Sequence, residues 1–415
     1  MERRLKNWLD GFTKFTKRRE SPDLFKVWTG VGTICSALER KCWHEWDCRI
    51  FPNMYIILVA PSGIRKGTIL GPGRKMLREL SDIHLAAEAI TREALIREIA
   101  NSESQMLISD TKLGPIQCAL TIYSMELTVF LGQNNWQLMS DLNDWFDCTD
   151  PWTYRTKNVG TDEINGICVN LIGGTTPEFL QSALPQDAIG GGLAGRIMFV
   201  YGDKKSHVEP FPFLTKEEKD LEEDLVHDLH LIHSMHGQFT FTEEFLMKYH
   251  TWYLDSEANP PFRDKNLVPY NQRRSLHLRK LCMALSAARS NEMIINGFDF
   301  DMATALMLET EAVMPHVFAG RGRVPHTDIM NRILVYLVNS KSGELSRKQI
   351  LQDYYKDITP DELDRMIATL DKIGACKIVH TGTDVMLVYT PERFKEINER
   401  GREPAVQQSG QDDTS

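Results

Sequence analysis

The chain has 415 residues, 42% apolar, 25% charged and 9% aromatic, the balance of a globular protein with length for two or three domains. No apolar run approaches the ~20 residues of a membrane span, and Met1-Glu2-Arg3-Arg4-Leu5-Lys6 leads into amphipathic sequence without the apolar core of a secretory signal. The net charge of −9 excludes attraction of the whole chain to nucleic acid and leaves that role to local basic surfaces.

Residues 1–50 read as a helical segment: Ser21-Pro22-Asp23 starts a helix, and Phe25, Trp28, Val31, Ile34, Cys35 and Leu38 recur at helical spacing. Eight cysteines are scattered along the chain without close pairs, which points to free thiols in a reducing cytosol. Cys42, His44 and Cys48 come nearest to a metal cluster, three ligands with no evident fourth.

Residues 51–210 read as an α/β core. Candidate strands at 55–59, 106–109, 120–124, 167–172 and 196–201 alternate with helical patterns such as 91–100 and 136–146, which predicts a mostly parallel sheet with helices on both faces. The first strand runs into Ala60-Pro61-Ser62-Gly63-Ile64-Arg65-Lys66-Gly67-Thr68. That is the layout of a phosphate-binding loop: a buried strand ends, backbone amides turn inward, a lysine meets phosphate charge and a hydroxyl reaches magnesium. The spacing departs from the standard form. Arg65 stands where a glycine is usual, and Gly67 separates Lys66 from Thr68.

A nucleotide hydrolase also needs an acid, a polar sensor and usually an arginine. Glu126 follows the strand 120–124, at the edge where open α/β sheets bind ligands. Asp110, after 106–109, competes for the role, and a surface glutamate is the plain alternative. Gly173-Gly174-Thr175-Thr176-Pro177 offers Thr175 or Thr176 as a phosphate sensor, or as a simple helix cap. Gly190-Gly191-Gly192-Leu193-Ala194-Gly195-Arg196 can bring Arg196 to a phosphate in its own subunit or a neighbour's; a flexible turn with a solvated arginine is the alternative. Gln133, Trp136, Trp145, Asp147, Trp152, Tyr154 and Lys157 form an aromatic-rich insertion, by default core, otherwise a DNA-facing loop.

Composition changes after Pro210-Phe211-Pro212, and residues 215–320 read as an all-helical region. Its cluster Arg273-Arg274, His277, Arg279-Lys280 is either a basic track or a solvated helix face contacting the core. A breaker-rich link, 320–325, precedes residues 326–392, where helices followed by a hairpin at 376–380 and 385–389 predict a winged helix. Ser346 and Thr359 are its expected helix caps, with Pro360 at a first helical position. Arg347, Lys348, Arg365, Lys372 and Lys377 are candidate phosphate contacts, Arg347 and Lys348 foremost, set against Asp353, Asp357, Asp361, Glu362 and Asp364. A protein-contact role is the alternative. The polar tail 398–415 is expected to be disordered.

With these residues in place, the chain resembles the P-loop ATPases of phages and mobile elements that are grouped as a domain of unknown function and often encoded with replication genes. In plan they are related to primase-associated hexameric helicases. The resemblance spans roughly residues 20–320. It is carried by Ser21-Pro22-Asp23 with Trp28, Phe51-Pro52-Asn53-Met54-Tyr55, the 60–68 loop in its Arg-Lys form, Ser124-Met125-Glu126-Leu127, Gly173–Pro177 and the glycines before Arg196. Where such proteins show an acidic pair, this chain has Met125-Glu126.

The resemblance implies an α/β P-loop NTPase core with a helical N-terminal segment, an all-helical region and a C-terminal winged helix. It implies ATP and Mg2+ at the 60–68 loop, with Lys66 and Thr68 at the phosphates and metal, Glu126 as catalytic acid and a further metal contact, and Arg196 as finger or sensor. It further implies a homo-oligomer, in the hexameric form of a ring, acting on single-stranded or forked DNA as a replicative helicase beside a primase, in a bacterial host's cytoplasm. The alternatives are a DNA-binding regulatory protein with a degenerate nucleotide site, and an ATPase that packages DNA or loads another helicase.

Overall fold

A computed structural model describes residues 2–109, 112–132, 135–156, 160–183, 192–318, 327–340, 343–355, 358–381 and 384–390. The chain divides into two compact units, Met1–Ala319 and Gly320–Ser415.

In the first unit the main elements in chain order are α1 (Trp8–Phe15), α2 (Asp23–Leu38), β1 (Tyr55–Val59), α3 (Lys66–Arg78), α4 (Arg92–Asn101), β2 (Glu103–Ser109), β3 (Lys112–Ser124), α5 (Trp136–Phe146), β4 (Ile167–Thr175), β5 (Ile197–Tyr201), α6 (Lys216–Ser234), α7 (Glu243–Ala258), α8 (Arg274–Arg289) and α9 (Gly297–Val313). The five strands form one sheet in the order β2-β3-β4-β1-β5. β3, β4, β1 and β5 run parallel, while β2 is an antiparallel edge strand. Every residue of β1 and β4 is buried, as expected of central strands covered on both faces.

Two neighbouring residues of β1 show the coverage. Ile56 lies under α2, where a side chain at Gly32 would meet Ile172 Cδ1 at 2.7 Å and Ile56 Cδ1 at 3.2 Å. Tyr55 donates its hydroxyl to Leu142 O of α5 at 2.8 Å. Successive strand residues face opposite ways, so α2 and α5 lie on opposite faces of the sheet.

The strands expected at 106–109 and 120–124 are the ends of one longer hairpin rather than two separate parallel strands. Gly114-Pro115 reads as a breaker in the sequence, but it sits in an irregular stretch of the β2–β3 pairing. β4 joins β3 only from Cys118 onward, so no second neighbour there needs the missing amide of Pro115.

The helices after residue 215 share a core with the sheet. Arg3 caps the end of α8 through Ala287 O (2.6 Å) and Ala288 O (2.8 Å), and Trp8 donates to Leu225 O of α6 at 2.8 Å. Trp28 of α2 donates to Thr310 Oγ1 of α9 at 2.8 Å. One contiguous apolar cluster runs from Trp8 to Phe318. The last of these helices, α9, gives way to a 3-10 turn over Met314–Phe318.

The second unit has its own core, centred on Ile333, Leu337, Leu363, Leu370 and Leu387. Its elements are α10 (Thr327–Asn339), β6 (Glu344–Ser346), α11 (Arg347–Tyr354), α12 (Pro360–Lys372), β7 (Cys376–Thr381) and β8 (Asp384–Tyr389), with the strands in the order β6-β8-β7, all antiparallel. Ser346 caps α11 by accepting from the Lys348 and Gln349 amides, and Thr359 forms a reciprocal cap with Glu362.

Candidate functional site at the carboxyl edge of the sheet

The four parallel strands end on one edge. β1 gives way to Ala60-Pro61, and the Ala60 amide still pairs with Thr175 O at 3.2 Å. The chain then turns through Gly63 (φ 90°) and Arg65 (φ 60°) before α3 starts at Lys66. At Gly63 the left-handed backbone favours glycine; Arg65 adopts it at a cost. A side chain at Gly63 or Gly67 would meet nothing within 4 Å, so the loop borders open space. Ser62 is exposed, Pro61 and Ile64 are half-buried, and Ile64 rests against the core. Lys66 donates its ammonium to Ala60 O at 2.7 Å and Pro61 O at 3.1 Å. Burial lowers its pKa, and the nearby carboxylates of Glu126 and Glu178 oppose that shift.

The loop is braced from the N-terminal segment. Arg65 Nε donates to Glu20 Oε2 at 3.0 Å, and Ser21 Oγ donates to Arg65 O at 2.8 Å. Arg19 reaches Thr68 O at 3.0 Å. Glu20 also accepts from Lys205 at 2.9 Å and from the Glu209 amide at 3.2 Å. These bonds, that from Lys205 foremost, hold the Glu20 carboxyl down at about 2. The arginine that departs from the standard loop is therefore an anchor. Thr68 is exposed, donates its hydroxyl proton to Arg65 O at 2.6 Å and lies 3.2 Å from Ser21 Oγ, which leaves a lone pair for a cation.

The strands beside β1 bring up the acid and the hydroxyl. β3 ends at Ser124, opposite Gly173 of β4, and Glu126 follows with its side chain exposed. Gly174 is the hinge of the arrangement. A side chain there would lie 3.2 Å from Met125 O and 3.4 Å from Lys66 Cβ. The start of α3, the end of β4 and the turn carrying Glu126 thus meet at a point where only glycine leaves them undisturbed. Thr175 is fully buried, and its hydroxyl has no partner. Thr176 accepts from the Phe179 amide at 3.3 Å and is the cap of the helix Pro177–Ala183. Glu178, the second residue of that helix, lies near enough to act on Lys66 and carries no motif signal of its own.

Arg196 lies elsewhere. It ends a helical turn, Leu193–Arg196, immediately before β5, and Ile197 pairs with Tyr55, the first residue of β1. That is the amino edge of the sheet, and the five residues of β1 put it roughly 17 Å from the loop at about 3.3 Å per residue. Arg196 therefore cannot meet a phosphate held at Lys66 of its own subunit. It is paired with Asp147, which also accepts from Arg273 at 2.9 Å, and it donates to Gly192 O at 3.1 Å. The last glycine before it is closely packed: a side chain at Gly195 would meet Pro269 O at 2.4 Å. Gly190 and Gly191 lie outside the described residues, as do Asp110, Gln133 and Lys157.

The remaining candidates separate cleanly. Trp145 and Trp152 are buried and meet edge to face with ring centroids 5.6 Å apart, while Arg92 covers Tyr154 at 4.8 Å, so these aromatics belong to the core. Cys42 is buried and donates to Met235 O, His44 is buried and held neutral with a pKa of about 4, and Cys48 is exposed. Among the described residues no group of three or more His, Cys, Asp or Glu is placed to hold a metal. In the 273–280 cluster, Arg274 pairs with Glu311 at 2.6 Å and His277, Arg279 and Lys280 are buried, so it is not a solvated face. In the second unit Arg347 is paired with Asp364 at 2.6 Å, and Lys348 is exposed.

No family model matches the chain, and no curated protein matches it.

Proposed function

We propose that the chain is an ATP-hydrolysing motor that acts on DNA. The observation that carries this reading is the meeting at Gly174 of the end of β4, the start of α3 with Lys66 and the turn carrying Glu126, beside the unpartnered Thr175 hydroxyl. In this reading 60–68 is a P-loop. The amides of the first turn of α3 receive phosphate oxygens at a helix N-terminus. The Lys66 ammonium leaves the carbonyls of Ala60 and Pro61 for the β- and γ-phosphates. Glu126, exposed at the same edge, orients and polarises the attacking water. The Thr175 hydroxyl finds its missing partner in the γ-phosphate or that water. Mg2+, held by Thr68 and by Glu126, would supply charge neutralisation at the phosphates. Arg196 sits on the opposite edge, where only a neighbouring subunit's nucleotide can meet it, which favours a ring.

The motor reading extends to the rest of the chain as a proposal. Residues 326–392 serve as a winged helix against DNA or another replication protein such as a primase, in the cytoplasm of a bacterial host. A second reading has its own support. Lys66 and Thr68 both donate to carbonyls of their own loop, as they would in a regulatory DNA-binding protein whose nucleotide site is degenerate.

Lys66→Ala separates the two. A motor loses phosphate release by about a hundredfold or more while its melting temperature stays within a few degrees, because the ammonium contributes transition-state charge and no core packing. Turnover equal to wild type removes the P-loop assignment, and no turnover in the wild type with or without DNA favours the regulatory reading.

A further inference from the structure

At the amino edge, away from the proposed nucleotide site, a cavity of about 420 Å3 opens between residues 47–51, the end of α5 and the start of α8. Two of its lining residues are buried cations with no carboxylate bonded to them. Arg279 is 7% exposed; its Nε donates to Ser275 O at 3.2 Å, and its Nη1 has no partner. Lys280 is 3% exposed and donates to Asn53 O at 2.9 Å and Asn53 Oδ1 at 2.6 Å. The acids on the same wall are engaged: Asp147 holds Arg196 and Arg273, and Asp47 accepts from the Cys48 amide at 3.1 Å. Burial pushes both Arg279 and Lys280 below their ordinary pKa ranges. Asp47 acts on Arg279 and Asp147 on Lys280 through space without bonding to either, so burial is only partly compensated and an anion entering this cavity is favoured.

The aromatic groups say which kind of anion. The Arg279 guanidinium lies 4.6 Å from the ring centre of Trp46, which is 40% exposed beside the cavity. Arg49, also on the wall, lies over Trp43 at 5.0 Å, and its pairing with Glu45 is an exposed ion pair worth little. An inorganic anion has no use for an exposed indole. A nucleotide unit has, because its base stacks on the ring while its phosphate meets the cations. The ring can receive a base only when that base is unstacked, which selects a single strand over a duplex.

We propose that residues 43–49 and the start of α8 bind a single nucleic-acid strand, with a base stacked on Trp46 and the adjoining phosphates beside Arg49, Arg279 and Lys280. This rests on the motor reading for its purpose, since a DNA motor needs a strand site apart from its nucleotide. The binding itself does not depend on turnover.

The test is titration of a fluorescent oligo(dT) into the full chain without nucleotide, at several salt concentrations, with melting curves beside it. Trp46→Ala weakens binding about tenfold or more, from the loss of one base stack, and Trp46→Phe recovers most of it. Arg49→Ala, an exposed change that leaves the core intact, lowers the slope of log K against log salt by about 0.7. Lys66→Ala binds the strand as wild type does. The inference is overturned if the wild type binds no strand, if folded Trp46→Ala and Arg49→Ala both bind like wild type, or if AMP or inorganic phosphate displaces the strand at equal concentration. Strand binding that responds to these changes in a protein without turnover overturns the motor and leaves this site standing.

Discussion

At its carboxyl edge the main sheet presents backbone amides, glycines and one half-buried lysine to open space; at its amino edge it gathers Arg196, Arg273, Arg279 and Lys280, the last three on the wall of a cavity. The first edge is shaped by strand ends. Gly63 turns the chain, Gly174 lets three segments meet, and the Thr175 hydroxyl is left without a partner. The second is shaped by side chains: Asp147 ties two arginines, and His277, fully buried, bonds Gly195 O at 2.8 Å. The contrast teaches that one sheet can set its polar groups on short loop bonds beside open space at one end and tie its arginines to a shared carboxylate at the other. A ring that sets one subunit's carboxyl edge against the next subunit's amino edge would bring the two together.

The largest expected effect lies at the carboxyl edge. Glu126→Gln keeps shape and removes the charge proposed to polarise water, so ATP binding should persist while turnover falls by about a hundredfold or more. Single-turnover phosphate release and nucleotide binding measure the two separately. If Asp110→Asn shows that phenotype and Glu126→Gln turns over normally, the catalytic acid belongs to the β2 end.

The comparison breaks most directly on subunit mixing. Lys66→Ala and Arg196→Ala proteins are each expected to be inactive. A mixture shown to co-assemble should regain part of the activity at interfaces pairing an intact loop with an intact arginine. Full activity of Arg196→Ala alone, or no recovery in verified mixtures, ends the proposal that the edges meet across subunits.

Much of the carboxyl edge was legible in the sequence because its cues are local. A β-branched run, a Pro-Ser-Gly turn and a Lys-Gly-Thr helix start lie within 14 residues, 55–68, and Glu126 and Thr175 each come within three residues of the end of an expected strand, 120–124 and 167–172. What escaped depends on residues far apart in the chain. Glu20 braces Arg65 across 45 positions, and nothing near Glu20 marks it as an anchor. The long hairpin escaped because the pairing of β2 with β3 is irregular between Gln105 and Ser109 and leaves no clean alternation across 103–124. Arg279 and Lys280 looked like surface charge, because a run of basic residues carries no sign of the helices that bury it.

The two edges should also part in acid. His277 has a folded pKa of about 4 against an ordinary 6.5, so the unfolded chain binds a proton that the fold refuses. Stability therefore falls as pH drops from about 6.5 to about 4, by about 3 kcal/mol for this residue, and the loss is complete below that window. Glu20 has the same sign in a lower window: its folded pKa is depressed to about 2, so the loop brace is lost only as pH falls from about 4.5 towards 2. Denaturant melts against pH should show the earlier loss flattened in His277→Gln, with His44, also at about 4, keeping part of it. Hydrogen exchange should show the 60–68 loop loosening only in the later window. Loss of both edges together at pH 5 would contradict the separation.

The smallest effect is expected in the second unit. Its candidate phosphate contacts are unequal: Arg347 already has both Asp364 oxygens, at 2.6 and 2.9 Å, while Lys348 is exposed. A guanidinium neutralised by its own carboxylate releases few counterions on meeting DNA, whereas a free ammonium releases its share. Replacing both with alanine should therefore flatten the salt dependence of DNA binding by only about one phosphate's worth, a slope change of roughly 0.7 to 0.9. Lys348→Ala alone should give nearly the same change. Turnover without DNA should persist, since this unit folds around its own core and carries none of the nucleotide motifs. A slope that falls by two contacts would mean that DNA displaces Asp364. A slope and affinity equal to wild type, with assembly or partner binding impaired, would make residues 326–392 a protein-contact module and leave the strand to the sheet unit.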